Sequence, residues 1–155
     1  MKYRTRILVE DKPFNVAHEH KMLSYYDIEG VIVTFVGKVR NHNLGKKVLT
    51  LTLEHYPGMT EKILTNIVSD ACNRWMLQKV TVIHRFGVLF PGDEIMFVGV
   101  SSAHRNNAFK ASEFIIDFLK TSVPFWKKER TNDGDYWVNI CDSDYRAVEK
   151  WKKCY

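Results

Sequence analysis

Three clusters of basic residues in this 155-residue chain are of the types that bind anions or activate a nucleophile. The first follows an apolar run, in the order Ser101, Ser102, Ala103, His104, Arg105. A predicted strand passes here into a predicted helix, whose first turn offers free N–H groups and the positive end of the helix dipole. His104 and Arg105 would complete a phosphate or carboxylate site. A serine cap beside two solvated side chains explains the same residues, and both interpretations stay open.

The second cluster, Lys38, Val39 and Arg40, ends the apolar stretch that begins at Gly30. Lys38 and Arg40 lie two residues apart and therefore share a face of the predicted strand. They stand at its C-terminal end, where the binding sites of α/β proteins gather. When this cluster is considered alone, a charged strand end that enters a basic loop is the simpler interpretation.

The third cluster lies in the last third of the chain. Lys120 ends a predicted helix, and a predicted strand follows in the order Phe125, Trp126, Lys127, Lys128, Glu129, Arg130. Because successive strand residues alternate between faces, Lys127 and Glu129 would share a face that Lys128 does not. The aromatic rings could stack on a planar ring such as a base or a pterin. Core aromatics beside a solvated strand are the alternative interpretation.

The spacing of the clusters limits how they can act together. Residues 104 and 120 of one helix would lie ~24 Å apart, since each residue adds 1.5 Å. The His104 end and the Lys120 end therefore cannot easily serve one small substrate within one chain. Either there are two sites, or a two-fold dimer brings one end from each subunit together.

Composition places the chain among ordinary globular proteins. Hydrophobic residues make up 45% and charged residues 26%, which excludes a disordered chain, a fibrous repeat and a collagen. The length predicts a single domain over residues 1–155. The net charge of +5 favours an anionic partner such as a phosphate ester, a nucleic acid or an acidic protein. The longest apolar runs, 30–37 and 95–100, are far shorter than the ~20 residues that span a bilayer, so no membrane partner is expected.

The cysteine and histidine patterns argue against a metal centre. Cys72, Cys141 and Cys154 are an odd number, widely separated and without a CxxC pair, so we expect reduced thiols in a cytoplasmic protein. His18 and His20 could bind a metal, but no third ligand is near them in the sequence. Solvated helix residues are the simpler interpretation of that pair.

Hydrophobic periodicity predicts an α+β fold that places the basic clusters at the ends of strands and helices. Strands are predicted over residues 3–9, 30–39, 48–56, 79–85, 94–101, 125–130 and 136–140. Helices are predicted over 14–23, 59–76, 102–121 and 143–151, with a loop over 40–47 and a turn over 89–93. The order of strands and helices indicates a mixed sheet with helices on one face.

Five segments of the chain together resemble the large, catalytic subunit of molybdopterin synthase. They are, in order, GVIVTFVGKVRNHN, LTLEHYPGMTEK, RW…VTVIHRFGVLFPGDEI, FVGVSSAHRNNAF and FLKTSVPFWKKE. The resemblance runs from about Gly30 to Trp137, and the N-terminal residues and the tail after Ile140 carry less of it. Five linked segments in order make it far more specific than any one segment would be.

The resemblance implies an α+β fold with an α/β hammerhead portion and a small β subdomain. It implies a central homodimer with a small ubiquitin-like subunit at each end, which makes a heterotetramer. That partner would carry sulfur as a thiocarboxylate on its C-terminal glycine. The chain would use this sulfur to convert cyclic pyranopterin monophosphate into the dithiolene of molybdopterin, in molybdenum cofactor synthesis, with no metal or cofactor of its own.

The same resemblance places functional positions on all three basic clusters. They are Lys38, Val39, Arg40, His104, Arg105, Lys120, Lys127, Lys128 and Glu129. Arg40, His104 and Arg105 suit the phosphate of the substrate. We expect Lys120 to transfer a proton or to hold a covalent or charged intermediate. Lys127 beside it would lower its pKa by like-charge repulsion.

The competing hypothesis is a basic α+β module that binds RNA through Phe125, Trp126 and the neighbouring lysines. Such a module would present an aromatic platform on a sheet. These aromatics instead follow a proline at a helix end, and +5 is a modest charge for a nucleic-acid partner. An inactive member of the family is the third hypothesis, but it would be expected to lack the two lysines, and both are present.

Overall fold

The computed structural model describes residues 4–24 and 27–152, and within them the chain forms nine strands and four helices. The strands are β1 (Arg4–Glu10), β2 (Val31–Lys38), β3 (His42–Asn43), β4 (Lys46–His55), β5 (Lys79–Arg85), β6 (Gly87–Leu89), β7 (Glu94–Ser102), β8 (Phe125–Thr131) and β9 (Gly134–Val138). The helices are α1 (Val16–Met22), α2 (Met59–Arg74), α3 (Arg105–Ser122) and α4 (Asp142–Lys152). Each predicted helix and strand has a counterpart, although Tyr3 of the first predicted strand and Cys154 lie outside the described residues.

The first sheet has four strands in the order β1-β5-β7-β2. β1 is parallel to β5, whereas β7 is antiparallel to both of its neighbours, so the sheet is mixed as predicted. The central strands β5 and β7 are buried along almost their whole length, which explains why they are apolar on both faces. Helices α2 and α3 cover one face through buried stripes that include Leu64, Val68 and Ile115.

The opposite face of the four-stranded sheet carries a smaller apolar layer around Leu23 and Phe97. Helix α1 forms part of this layer. Asn15 caps the helix, since its Oδ1 accepts a hydrogen bond from the backbone N–H of His18 at 3.0 Å. Gly99 lies beneath Leu23, where a Cβ would collide with the leucine side chain. The two long helices thus share one face, as predicted, and the short α1 adds a layer on the other.

A second sheet of five strands holds β3, β4, β8 and β9 in that order, with β6 paired to β4. It corresponds to the small β subdomain that the resemblance implied. Strand β8 lies between β4 and β9 and pairs antiparallel with both. Lys127 is opposite Leu53 on one side and Val138 on the other, so neighbours on both sides fix the face on which its side chain lies.

The basic segment 40–47 is a hairpin and not the predicted loop. Strand β3 pairs with the first residues of β4 across a turn at Leu44 and Gly45. Both turn residues have positive φ, 49° and 76°, a conformation that glycine adopts without strain. A two-residue turn of this kind lets even a short polar segment fold back on itself.

The helix predicted to start at residue 102 begins three residues later, with Arg105 as its first residue. Ser101 and Ser102 continue β7 and pair with β2, so the sheet prevails over the tendency of serine to cap a helix. The Ser102 hydroxyl donates to the carbonyl oxygen of Met76 at 2.7 Å. It therefore joins β7 to the end of α2.

The C-terminal helix α4 packs on α3 through Trp151. The indole Nε1–H donates to Asp117 Oδ2 at 2.8 Å, and the ring makes edge contacts with Trp75 and Phe114. This packing holds the segment 139–141, which joins β9 to α4, near the C-terminal end of α3. In the described part of the chain, the helices are all too short or too polar to span a membrane.

Candidate active site

A cavity of about 260 Å³ opens at the C-terminal end of α3. Its walls come from α3 and from the ends of β2 and β5, the start of β8, and the segment between β9 and α4. The polar and aromatic lining includes Arg40, His84, Lys120, Phe125, Lys127 and Asp144. Three of the predicted site residues, one from the second basic cluster and two from the third, therefore meet in one place.

The two lysines meet because the chain turns sharply after α3. Lys120 lies in the last turn of the helix, and the chain leaves the helix at Val123 and enters β8 at Phe125. Lys127 is the second residue after Phe125, and it lines the same cavity as Lys120. Lys120 is exposed and Lys127 is half-buried, so the two amines differ in their access to water.

The pKa of Lys127 is lowered by its surroundings. Burial is the main cause that lowers the pKa of Lys127 below its ordinary value of 10.5, and the positive charge of Lys120 is the second cause. Asp144, Cys141 and Glu129 oppose this shift and raise the pKa of Lys127. The sequence-based prediction was that this repulsion lowers the pKa of Lys120, whereas the structure shows it as a cause that lowers the pKa of Lys127.

Arg40 reaches the cavity because the residue before it is firmly anchored. The backbone N–H of Val39 donates to the Asp93 carbonyl at 2.9 Å, and its own carbonyl accepts from the Gly92 N–H at 2.8 Å. The Val39 side chain is buried in the core. Of the second cluster, Arg40 lines the cavity, whereas Lys38 is exposed at the end of β2.

The alternation predicted for β8 is confirmed. Glu129 is on the same face as Lys127, and its Oε1 accepts a hydrogen bond from Asn43 Nδ2 at 2.9 Å. It lines a groove of about 480 Å³ that shares residues 138–141 with the cavity. Lys128 is on the opposite face, with its Nζ 3.9 Å from a carboxylate oxygen of Asp135. Glu129 thus lies next to the cavity and Lys128 lies outside it.

His104 and Arg105 are exposed at the other end of α3. His104 is the N-cap residue, but its side chain makes no capping hydrogen bond. The helix rise places Arg105 ~22 Å from Lys120. Within one chain the two ends of α3 therefore do not form a single site, as their spacing predicted.

His84 and Phe125 form the floor of the cavity, which was not predicted from the sequence. Their rings stack with centroids 3.8 Å apart and planes 18° apart, so one face of Phe125 is covered by a protein side chain. Burial is the main cause that lowers the pKa of His84 to about 3. The available signal was the position of His84 in a central strand, where residues on both faces are enclosed.

The cavity combines exposed cations with a buried amine of lowered pKa. Arg40 and Lys120 are exposed and can bind a phosphate or a carboxylate. Lys127 is neutral in a larger fraction of molecules than an ordinary lysine, and a neutral amine can accept a proton or attack a carbon. Within the described residues, no three His, Cys, Asp or Glu side chains lie close enough together to hold a metal ion.

Comparison with known proteins gives sequence relatives over nearly the whole chain. The family model described as MoaE protein matches residues 9–122. A molybdopterin synthase catalytic subunit of Yersinia pestis is 60% identical over 151 residues, covering 97% of this chain and 100% of the relative. The subunit of the same description from Escherichia coli is 59% identical and covers 95% of this chain and 98% of its own. These alignments extend beyond residue 122 and so reach the strand that carries Lys127.

Solved structures resemble the whole fold. A molybdopterin biosynthesis MoaE protein from Burkholderia ambifaria superposes with a TM-score of 0.81 at 40% identity, covering 96% of this chain and 98% of that one. A molybdopterin synthase from Staphylococcus aureus gives 0.78 at 32% identity, covering 84% and 95%. A complex of subunits 1 and 2 of molybdopterin-converting factor from Helicobacter pylori gives 0.68 at 16% identity, covering 87% and 90%, and shares the fold.

Proposed function

Because this chain belongs to the MoaE protein family, we propose that the cavity around Lys120 and Lys127 is its sulfur-transfer centre. The chain is a molybdopterin synthase catalytic subunit, an enzyme of molybdenum cofactor biosynthesis. The observation that supports the location of the centre is the meeting of Arg40, Lys120 and Lys127 in one cavity. These three side chains come from separate elements, and the fold brings them together.

The proposed substrate is cyclic pyranopterin monophosphate. Its phosphate would bind to Arg40 of one subunit and to His104 and Arg105 of the second subunit of a homodimer. The distance along α3 supports this arrangement, because one chain cannot place both ends of the helix on one small molecule. Lys38 and Lys128 lie outside the cavity of their own chain, so we assign them to contacts at its edge.

The proposed sulfur donor is a small ubiquitin-like carrier subunit with a C-terminal thiocarboxylate. The Helicobacter pylori structure is a complex of two subunits of molybdopterin-converting factor. Here the groove beside Glu129 shares residues 138–141 with the cavity, and it gives an extended chain end a route to the lysines. One carrier at each end of the homodimer would make a heterotetramer. We assign the reaction to the cytoplasm, which suits a chain with unpaired Cys72 and Cys141.

The two lysines take different roles in this proposal. When the thiocarboxylate sulfur attacks the carbon that bears oxygen, a carbon–sulfur bond forms and a carbon–oxygen electron pair moves onto the oxygen. Exposed Lys120 stabilises that negative charge, or it forms a covalent link to the intermediate. Water then cleaves the acyl carbon–sulfur bond and releases the carrier as its carboxylate, and Lys127 accepts the proton of that water, because burial and the charge of Lys120 lower its pKa. The chain itself supplies no sulfur, metal or cofactor in this scheme.

A single-turnover experiment tests the function. The chain is mixed with a thiocarboxylated small subunit and cyclic pyranopterin monophosphate, and the product is followed as the oxidised dithiolene pterin. We expect product only when both proteins are present. Carrier binding without product would indicate a different substrate or an inactive relative. The RNA-binding hypothesis has no support among the relatives, and only a chain that binds RNA but no carrier would revive it.

A further inference from the structure

His84 forms the floor of the lysine cavity and has no role in the proposed mechanism so far. It is 1% exposed, and among the described residues that line the cavity it is the only buried polar one. Its ring stacks on Phe125, which precedes Lys127 by two residues on the same face of β8. His84 therefore contacts the strand that carries the buried amine.

Hydrogen bonding fixes which nitrogen of His84 can face the cavity. Nδ1 lies 2.8 Å from the backbone carbonyl oxygen of Arg85. A carbonyl oxygen only accepts hydrogen bonds, so Nδ1 carries the proton and donates it. Burial keeps the ring neutral, with the pKa of His84 lowered to about 3. Nε2 then holds a lone pair and can act as an uncharged acceptor.

We infer that His84 is a positioning residue for Lys127, whose ammonium group donates a hydrogen bond to His84 Nε2 once the lysine has taken up a proton. The inference rests on the proposed function, because it deepens the role of Lys127 as proton acceptor. A protonated amine in a half-buried site needs an acceptor. A neutral imidazole supplies one without the stronger attraction of a carboxylate, so the lysine can release the proton before the second sulfur transfer.

The other side chains around Lys127 are less suited than His84 to accept a hydrogen bond from its ammonium group. Charged or titratable side chains face it from α3, α4, the loop after β2, the segment before α4 and its own strand, and they are Lys120, Asp144, Arg40, Cys141 and Glu129. The basic ones cannot accept a hydrogen bond. The possible acceptors are all at least partly exposed, since Asp144 and Glu129 are partly exposed and Cys141 and the cavity-lining Asn139 are exposed. Glu129 already accepts from Asn43. His84 is the acceptor at the closed end of the cavity.

The experiment measures the reactivity of Lys127 in the purified chain. Labelling with acetic anhydride is followed against pH by mass spectrometry of the peptide that contains Lys127. His84→Phe keeps the stack on Phe125 but removes the acceptor, and we expect it to lower the labelling midpoint by about one pH unit. His84→Gln places an amide oxygen near the position of Nε2, and we expect a midpoint close to that of the unchanged chain.

Two further variants separate the acceptor from packing. The shorter side chain of His84→Asn reaches the position of Nδ1 but not that of Nε2, so it supplies no acceptor for Lys127. We therefore expect this variant to behave like His84→Phe. His55→Phe is the matched control, because His55 lies 6.2 Å from the same Phe125 ring but is not among the cavity-lining residues. Any of three results would overturn the inference. The labelling midpoint could shift as much in His55→Phe as in His84→Phe, it could be the same in the His84→Gln and His84→Asn variants, or it could fail to shift in His84→Phe. If His84→Phe does not fold, the Gln and Asn pair decides.

The same variants are then used in single turnover with carrier and substrate. We expect His84→Phe to move the pH dependence of the rate in the same direction as the labelling midpoint. If the chain without substitutions is active and its pH profile is the same as that of His84→Phe, only the inference about His84 is overturned. An unchanged chain that gives no product would overturn the proposed function, and the labelling midpoints would still decide whether His84 positions Lys127.

Discussion

The two ends of helix α3 carry similar charges in opposite surroundings. His104 and Arg105 at the N-terminal end are exposed, whereas at the C-terminal end β8 and the segment 138–141 form a cavity around Lys120 and Lys127. The helix dipole favours a cation at the C-terminus and disfavours one at the N-terminus. Neighbouring elements shield one amine from water only at the C-terminal end, and the proposed chemistry is therefore assigned to that end. The exposed side chains at the other end are open to contact with an anion.

In the proposed dimer, the two ends of α3 come from different subunits and meet at one site. The largest expected effect comes from the C-terminal end, which carries Lys120. Lys120→Ala should lower the single-turnover rate by about 10²–10³-fold, the range typical for loss of a group that stabilises a developing negative charge. Dimer formation and carrier binding should persist, because Lys120 is exposed. Gel filtration and a carrier-binding titration serve as controls. Near-normal turnover would remove Lys120 from the mechanism.

A mixed dimer tests whether the two ends come from different subunits. A His104→Ala/Arg105→Ala double variant is mixed in equal amounts with a Lys120→Ala variant, each being inactive alone. Random exchange makes half of the dimers mixed, and each mixed dimer has one intact site of two, so we expect about a quarter of normal activity. If subunit exchange is confirmed and no activity returns, the pocket lies within one chain.

The contrast between the ends was only partly visible in the sequence. The 3.6-residue periodicity of α3 and the alternation along β8 were sufficient to predict the separation of Arg105 from Lys120 and the shared face of Lys127 and Glu129. Both are local properties of one element. The predicted start of α3 was wrong because Ser102 pairs with β2, a strand some seventy residues earlier in the chain.

The cavity itself could not be predicted from local patterns. Its floor comes from His84 on β5, and its wall comes from residues 138–144, whereas Lys127 is on β8. Such contacts depend on how the two sheets and α4 pack together. The lowered pKa of Lys127 has its main cause in that packing, since burial outweighs the neighbouring charge of Lys120. Like-charge repulsion, the only cause visible in the sequence, is the smaller of the two.

A smaller effect tests the electrostatics of the enclosed end. Lys120→Met removes a positive neighbour and should raise the labelling midpoint of Lys127, whereas Asp144→Asn removes a negative neighbour and should lower it. We expect shifts of about half a pH unit. Because the neutral amine increases as pH rises through its pKa, Asp144→Asn should speed labelling at neutral pH. Asp142→Asn, on the same helix turn but outside the cavity lining, is the control. Equal shifts for both aspartate variants would show a general effect of charge.

The smallest expected effect concerns the packing of α4 on α3, which holds the cavity wall at the C-terminal end of α3. Trp151→Phe removes the hydrogen bond from Nε1 to Asp117 and should cost about 1 kcal/mol, which lowers the Tm by about 2–4 °C. The Asp117 carboxylate keeps Lys150 as a neighbour at 3.6 Å, so its charge stays compensated. Exposed Tyr145→Phe on the same helix should leave the Tm unchanged.

Turnover of Trp151→Phe should fall less than threefold, because the wall residues are also held by β9 pairing with β8. A loss of turnover as large as that of Lys120→Ala, with the fold intact, would contradict this expectation. The reactive end of α3 would then depend on the exact seating of α4, and the shielding of Lys127 would be a property of the tail more than of the strand that carries it.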